Sequence, residues 1–274
     1  MADVDTSRTA PPPVSPPRPR KKRRGPGWVP DEHGAWAMLV VPLVLGIVAS
    51  GPAWVHLPLA ILWVVGYLAF YATGLWLRSH LKKRWFPPVR AYTLACVLPA
   101  LAVLALRPDL LAWTPLLVPL VALSLVLHHR RKDRGLLNDA VAVVSACLIL
   151  PVAYDAGLES GDASAWPTVW VATALTAAYF LGTVPYVKTL IRERGSRTWY
   201  IGSVAFHLAL VPLPWLLAAT SSVAFGPGLL TVFYGILAVR AALVPLRGAT
   251  PRQVGIGEIF ASTALTVLVV VEVL

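Results

Sequence analysis

The sequence predicts an all-α fold: a polytopic transmembrane bundle of about nine helices, N-terminus inside and C-terminus outside. Three observations predict it. Hydrophobic residues make up 57% of the 274, and the mean hydropathy is +0.68, well above that of a soluble domain. The apolar residues gather into stretches close to the ~20 residues that a helix needs to cross a bilayer. Of the 24 Lys and Arg residues, all but Arg107 fall in register between alternate stretches. Positive residues stay cytoplasmic, so this register sets the orientation.

Residues 1–30 read as a disordered cytoplasmic tail ahead of a single transmembrane domain at 31–274. Pro11, Pro12, Pro13, Pro16, Pro17 and Pro19 alternate with Ser, Thr and Arg, a composition that cannot bury a core and favours polyproline backbone. The basic run Arg20 to Arg24 reads as a topology determinant. A basic stretch ahead of an apolar one also resembles a secretory signal. The junction Asp31-Glu32-His33-Gly34-Ala35-Trp36 intervenes, however, and the first span is read as retained.

The first span, 34–51, opens with Asp31 as a cap and Trp36 as an interfacial anchor. The second, 57–77, brings the chain to Arg78, Lys82, Lys83, Arg84 and Arg90. Spans at 91–106 and 110–128 return it to Arg130, Arg131, Lys132 and Arg134. The fifth, 136–154, leads to an acidic loop with Asp155, Glu159 and Asp162. The sixth, 166–187, ends at Lys188, Arg192, Arg194 and Arg197; the seventh covers 199–219. The eighth, 228–246, ends among Arg240, Arg247 and Arg252, and the ninth is 255–274. Prolines inside these spans, among them Pro42, Pro99, Pro151, Pro185, Pro214 and Pro245, remove backbone hydrogen bonds that hydrocarbon cannot replace.

A net charge of +11 and a pI near 10.1 would suggest nucleic acid as the partner of a soluble chain. Here the bases form a cytoplasmic belt. Their expected partners are the anionic lipids of the inner leaflet, at about 1 kcal/mol per surface residue, and not nucleic acid. That places the chain in the cell membrane as a multi-pass protein. Cys96 and Cys147 lie within spans and imply no disulfide framework. No cofactor and no metal is expected.

The informative residues are ionisable groups at the ends of spans, because burial at mid-membrane costs about 2.5–3.5 kcal/mol. Glu32 and His33 open the first helix, Asp139 the fifth and Glu258 the ninth; Lys188 and Arg192 close the sixth, and Arg240 lies near the end of the eighth. In one bundle these groups would ring a single cytoplasmic-facing pocket. Glu32, His33, Asp139 and Glu258 are candidates for acid–base work. Lys188, Arg192 and Arg240 are candidates for holding an anionic head group. Lys188 and Arg192 stand one turn apart, with the Thr189 hydroxyl as a further donor. Helix dipoles explain the same pattern without a site, since acids favour helix N-termini and bases C-termini. His207, in mid-span, reads as a packing group.

The string Glu32-His33-Gly34-Ala35-Trp36-Ala37-Met38, with Arg134 to Asp139, Lys188 to Gly195 and Gly257-Glu258-Ile259, resembles the YwiC-like family of bacterial integral membrane proteins. That resemblance implies a membrane protein and no particular chemistry. A more distant architectural likeness is to the UbiA-type intramembrane prenyltransferases, which hold a prenyl diphosphate through magnesium on two Asp-rich motifs. Asn138-Asp139 is one fragment of such a motif, and basic residues stand where the second would fall. A magnesium site needs several oxygen ligands, so no metal-dependent transferase is expected. Three functions stay open: action on, or binding of, an anionic amphipathic molecule; secondary transport of a small anion; and a scaffold or assembly role.

Overall fold

In the computed structural model, residues 27–30, 34–158 and 164–274 are described. The first span is α1 (Gly34–Ser50), followed by α2 (His56–Arg78), α3 (Phe86–Leu106) and α4 (Thr114–His129). The fifth is divided into α5 (Leu136–Cys147) and α6 (Ile149–Gly157), and α7 (Trp166–Ile191) follows. The seventh is divided into α8 (Arg197–Leu210) and α9 (Leu213–Thr220), before α10 (Pro227–Arg247) and α11 (Pro251–Glu272). Eight helical segments among the described residues are long and apolar enough to cross a membrane, and α1 is a shorter apolar helix. The protein is a multi-pass membrane helix bundle.

Proline chemistry sets several boundaries. A proline ring clashes with the carbonyl four residues back and supplies no N–H. Helix α5 ends at Cys147, four before Pro151, and α8 ends at Leu210, four before Pro214. The other internal prolines, such as Pro42 and Pro185, sit within unbroken helices. Helix α3 starts at Phe86, earlier than the apolar pattern indicates, because Pro87 and Pro88 are pre-set for a first helical turn.

Burial divides the bundle into centre and shell. Of the apolar stretch in α5–α6 61% is buried, and in α7 50%, against 17% in α2, α3, α4 and α8–α9. The main core joins α1, α5, α6, α7, α10 and α11 through Leu45, Tyr154, Leu175, Tyr179, Tyr234 and Leu265. The outer helices turn large apolar side chains outward, among them Leu94 and Leu98 on α3 and Leu216 on α9, as lipid contact requires. Trp28, which the composition assigns to the tail, lies against α3: its carbonyl accepts a hydrogen bond from the Tyr92 hydroxyl at 2.5 Å.

The end opposite the basic loops is held by Arg107, the one base outside the register. Its guanidinium donates to the carbonyls of Ala156 (2.6 Å) and Leu158 (3.0 Å), capping α6, and to Asp109 (2.6 Å). Nearby, the Trp113 indole donates to Asp155 at 2.7 Å. His56 locks α2 onto α6 below it. Its Nδ1 accepts from the Ala53 N–H (2.9 Å), so Nε2 carries the proton and donates to the Ala153 carbonyl (2.8 Å). Arg107 is thus consumed by structure.

Candidate functional site

At the end that carries the basic loops, α7 and α10 arrive while α5, α8 and α11 depart. This brings the acidic and basic candidates together in pairs. Lys188, in the last turn of α7, is buried, with Nζ 2.5 Å from Asp139 Oδ2 in the first turn of α5. The same ammonium donates to the Arg134 carbonyl at 3.1 Å and lies 5.3 Å from the centre of the Trp199 ring. Arg240 of α10 approaches Glu258 of α11, Nη1 to Oε1, at 2.8 Å. The other carboxylate oxygen of Glu258 accepts from the Tyr179 hydroxyl at 2.8 Å, and the Arg240 guanidinium stacks 4.2 Å from the Tyr186 ring.

These pairs give the acids charged partners besides the helix dipoles. Dipole effects fade within the first turn of a helix, and Glu258 lies beyond that turn of α11, buried against α7 and α10. Its charge is met by a guanidinium and a phenol. Asp139 does sit in a first turn, but it also has a buried ammonium as partner. Buried charges persist when paired and hydrogen-bonded. Neither pair is fully hydrogen-bonded: Asp139 Oδ2, Glu258 Oε1 and the Nε and Nη2 of Arg240 are buried in ion pairs with no hydrogen-bond partner among the described residues.

The other candidates are placed differently. Arg192 caps the end of α7 and is exposed, so its guanidinium does not join the buried Lys188. Glu32 and His33 lie outside the described residues. The Thr189 hydroxyl is no donor for a ligand, because it donates to the Pro185 carbonyl at 2.7 Å. His207 is buried on α8; its Nδ1 bonds the Ser203 carbonyl at 2.7 Å, and its ring meets Tyr186 edge-on. Among the described residues no group of three or more His, Cys, Asp or Glu could hold a metal ion.

Beyond the pairs, where α7, α8 and α10 meet, lies a cleft of about 250 Å³ that the sequence reading did not isolate. Leu190, Pro245 and Leu246 give it an apolar side; Arg194, Ser196 and Arg197 give it a polar one. Two glycines in left-handed conformation shape it: Gly195 (φ 86°), between α7 and α8, and Gly248 (φ 71°), after α10. A Cβ on Gly248 would come within 2.9 Å of Arg194 Nη2, so the missing side chain is what lets that guanidinium lie across the turn. The signal was present as Arg194-Gly195-Ser196-Arg197, but it reads as one more stretch of the basic belt.

The comparisons with known proteins agree on one family. A family model described as YwiC-like protein matches residues 29–154. A Bacillus subtilis (strain 168) protein named "Uncharacterized protein YwiC" is 32% identical over 242 residues, covering 84% of this chain and 92% of that relative. The chain belongs to the YwiC-like family. A second relative in Haemophilus influenzae, named "Uncharacterized protein", is 29% identical over 245 residues, which is 86% of this chain and 94% of its own. Both alignments cover more than four fifths of the chain and so extend past residue 154, into the part that holds Lys188. No solved structure matches.

Proposed function

We propose that this protein binds an anionic amphipathic molecule at the inner-leaflet face of the bacterial cytoplasmic membrane. The observation that carries the reading is the cleft between α7, α8 and α10, where Arg194 and Arg197 face an apolar wall of Leu190, Pro245 and Leu246. The two guanidiniums supply fork-shaped donors suited to phosphate or carboxylate. The wall, ending at the exposed Leu246, supplies a path for an acyl or prenyl chain into the surrounding lipid. Lys188 and Arg240 then act behind the site: they lock α5, α7, α10 and α11 together and fix the ends of the helices that form the cleft. An acid–base role for Asp139 or Glu258 would require either pair to open first.

The test is lipid retention by purified protein, followed by native mass spectrometry. The Arg194→Gln/Arg197→Gln protein is expected to lose its bound anionic amphiphile by roughly tenfold or more, at about 1.5–3 kcal/mol per charged hydrogen bond. Lys132→Gln, a base in another loop, is expected to retain it. Equal retention by all three proteins would reduce the arginines to topology determinants. A second reading, secondary transport of a small anion, is favoured by one observation: the buried, unpartnered Nε and Nη2 of Arg240.

A further inference from the structure

A second concavity, of about 400 Å³, lies at the ends of α2 and α4 and is lined by Arg78, Arg131, Asp133 and Arg134. It shares no residue with the cleft at Arg194. Three guanidiniums against one carboxylate leave two net positive charges facing one space. The wall is built rather than incidental. Arg78 Nη1 bonds Asp133 Oδ2 at 3.0 Å, joining the two loops. Asn138 Nδ2 donates to the Asp133 carbonyl at 2.9 Å, and the buried Ser124 hydroxyl fixes Asn138 at 2.7 Å.

The backbone adds an independent observation. Helix α4 ends in a Schellman motif, with Lys132 N–H bonded to the Leu127 carbonyl (2.8 Å) and Arg131 N–H to the His128 carbonyl (3.0 Å). The residue at its left-handed position is Arg131, at φ 57°. Glycine takes that conformation without penalty, whereas an arginine there is strained. Helix α2 closes in the same way with His80 at φ 56°. A basic belt needs exposed charge, which neighbouring positions supply without strain. It does not need an arginine at the one position where its backbone is unfavourable and its side chain lines the concavity.

We infer that this concavity is a second anion site, which takes a soluble phosphate-bearing compound of at least two negative charges. All four lining residues are charged, so no surface is offered to a lipid tail, in contrast to the cleft at Leu190 and Leu246. Arginine forks match phosphate oxygens in pairs. Asp133 orients Arg78 and competes with the ligand for it.

The test is calorimetric titration of the full chain in detergent with inorganic pyrophosphate, alongside thermal unfolding. The wild type is expected to bind. Arg131→Gly is expected to weaken binding roughly tenfold or more while its melting temperature stays equal or rises, because the strain is relieved. Asp133→Asn is expected to tighten binding, and Arg252→Gln, a base that lines neither concavity, to leave it unchanged. Retention of phosphatidate by Arg131→Gly, measured by native mass spectrometry, is expected to equal that of the wild type. Failure of the wild type to bind pyrophosphate, or equal binding by Arg131→Gly, overturns the inference. So does loss of phosphatidate from Arg131→Gly, which would make the site a lipid contact. The loss of pyrophosphate binding on Arg131→Gly reads this concavity alone, and phosphatidate retention reads the cleft at Arg194, so the two sites succeed or fail separately.

Discussion

Replacing Glu258 with Gln is expected to destabilise the bundle by about 3–5 kcal/mol, the usual consequence of leaving one member of a buried ion pair uncompensated. Glutamine can still accept from the Tyr179 hydroxyl, so that bond survives. What it cannot do is neutralise Arg240, whose side chain is only 17% exposed and whose Nε and Nη2 have no hydrogen-bond partner among the described residues. Arg240→Gln should cost a similar amount by exposing the carboxylate to the same fault. The double variant Glu258→Gln/Arg240→Gln should recover most of the loss, because neither charge then remains buried. Thermal unfolding of the purified proteins in one detergent checks this. Dipole matching alone predicts under about 1 kcal/mol for Glu258→Gln and additive losses in the double variant. Additivity would refute the pair as an energetic unit.

The second large effect concerns packing. Gly46→Ala is expected to separate α1 from α6 and cost about 1–3 kcal/mol or more. A Cβ at Gly46 would lie 2.3 Å from the Leu150 carbonyl oxygen and 2.7 Å from the Ala153 Cβ. Neither atom is the end of a flexible side chain, so the helices themselves must move. That displacement strains His56, whose Nε2 bonds the Ala153 carbonyl. Gly66→Ala is the control with the opposite sign. Nothing lies within 4 Å of its Cβ position, and replacing a mid-helix glycine by alanine should stabilise by about 0.5–1 kcal/mol. Equal melting temperatures for the two variants would mean that α1 and α6 are not closely packed.

The spans were legible because hydrocarbon imposes a length and a composition on every helix that crosses it. Which prolines break a helix was not. Pro42 lies in a continuous α1 while α5 stops four residues before Pro151. The outcome depends on whether neighbouring helices can satisfy the freed carbonyls, which no local pattern records. Among the candidates, the charges at Asp139, Lys188, Arg240 and Glu258 were found one by one, because each is costly at its depth. Their pairing across α5, α7, α10 and α11 is a property of the bundle. Arg194 and Arg197 were hidden for the opposite reason: in sequence they cannot be told from bases that only set topology, and the left-handed Gly195 and Gly248 that shape their cleft are loop glycines like any other.

Both anion sites presuppose that the basic end of the bundle faces the cytoplasm, and accessibility of single cysteines tests that orientation most directly. With Cys96 replaced by Ser and the buried Cys147 left in place, cysteines are introduced at Trp54, Lys132 and Arg197. Trp54 is highly exposed in the loop between α1 and α2, at the end away from the basic loops. A membrane-impermeant thiol reagent applied to intact cells should label Trp54→Cys, and should label Lys132→Cys and Arg197→Cys only after the cells are made permeable. Labelling of Lys132→Cys and Arg197→Cys in intact cells, with Trp54→Cys protected, would turn both sites to the outside and contradict an inner-leaflet amphiphile as the ligand.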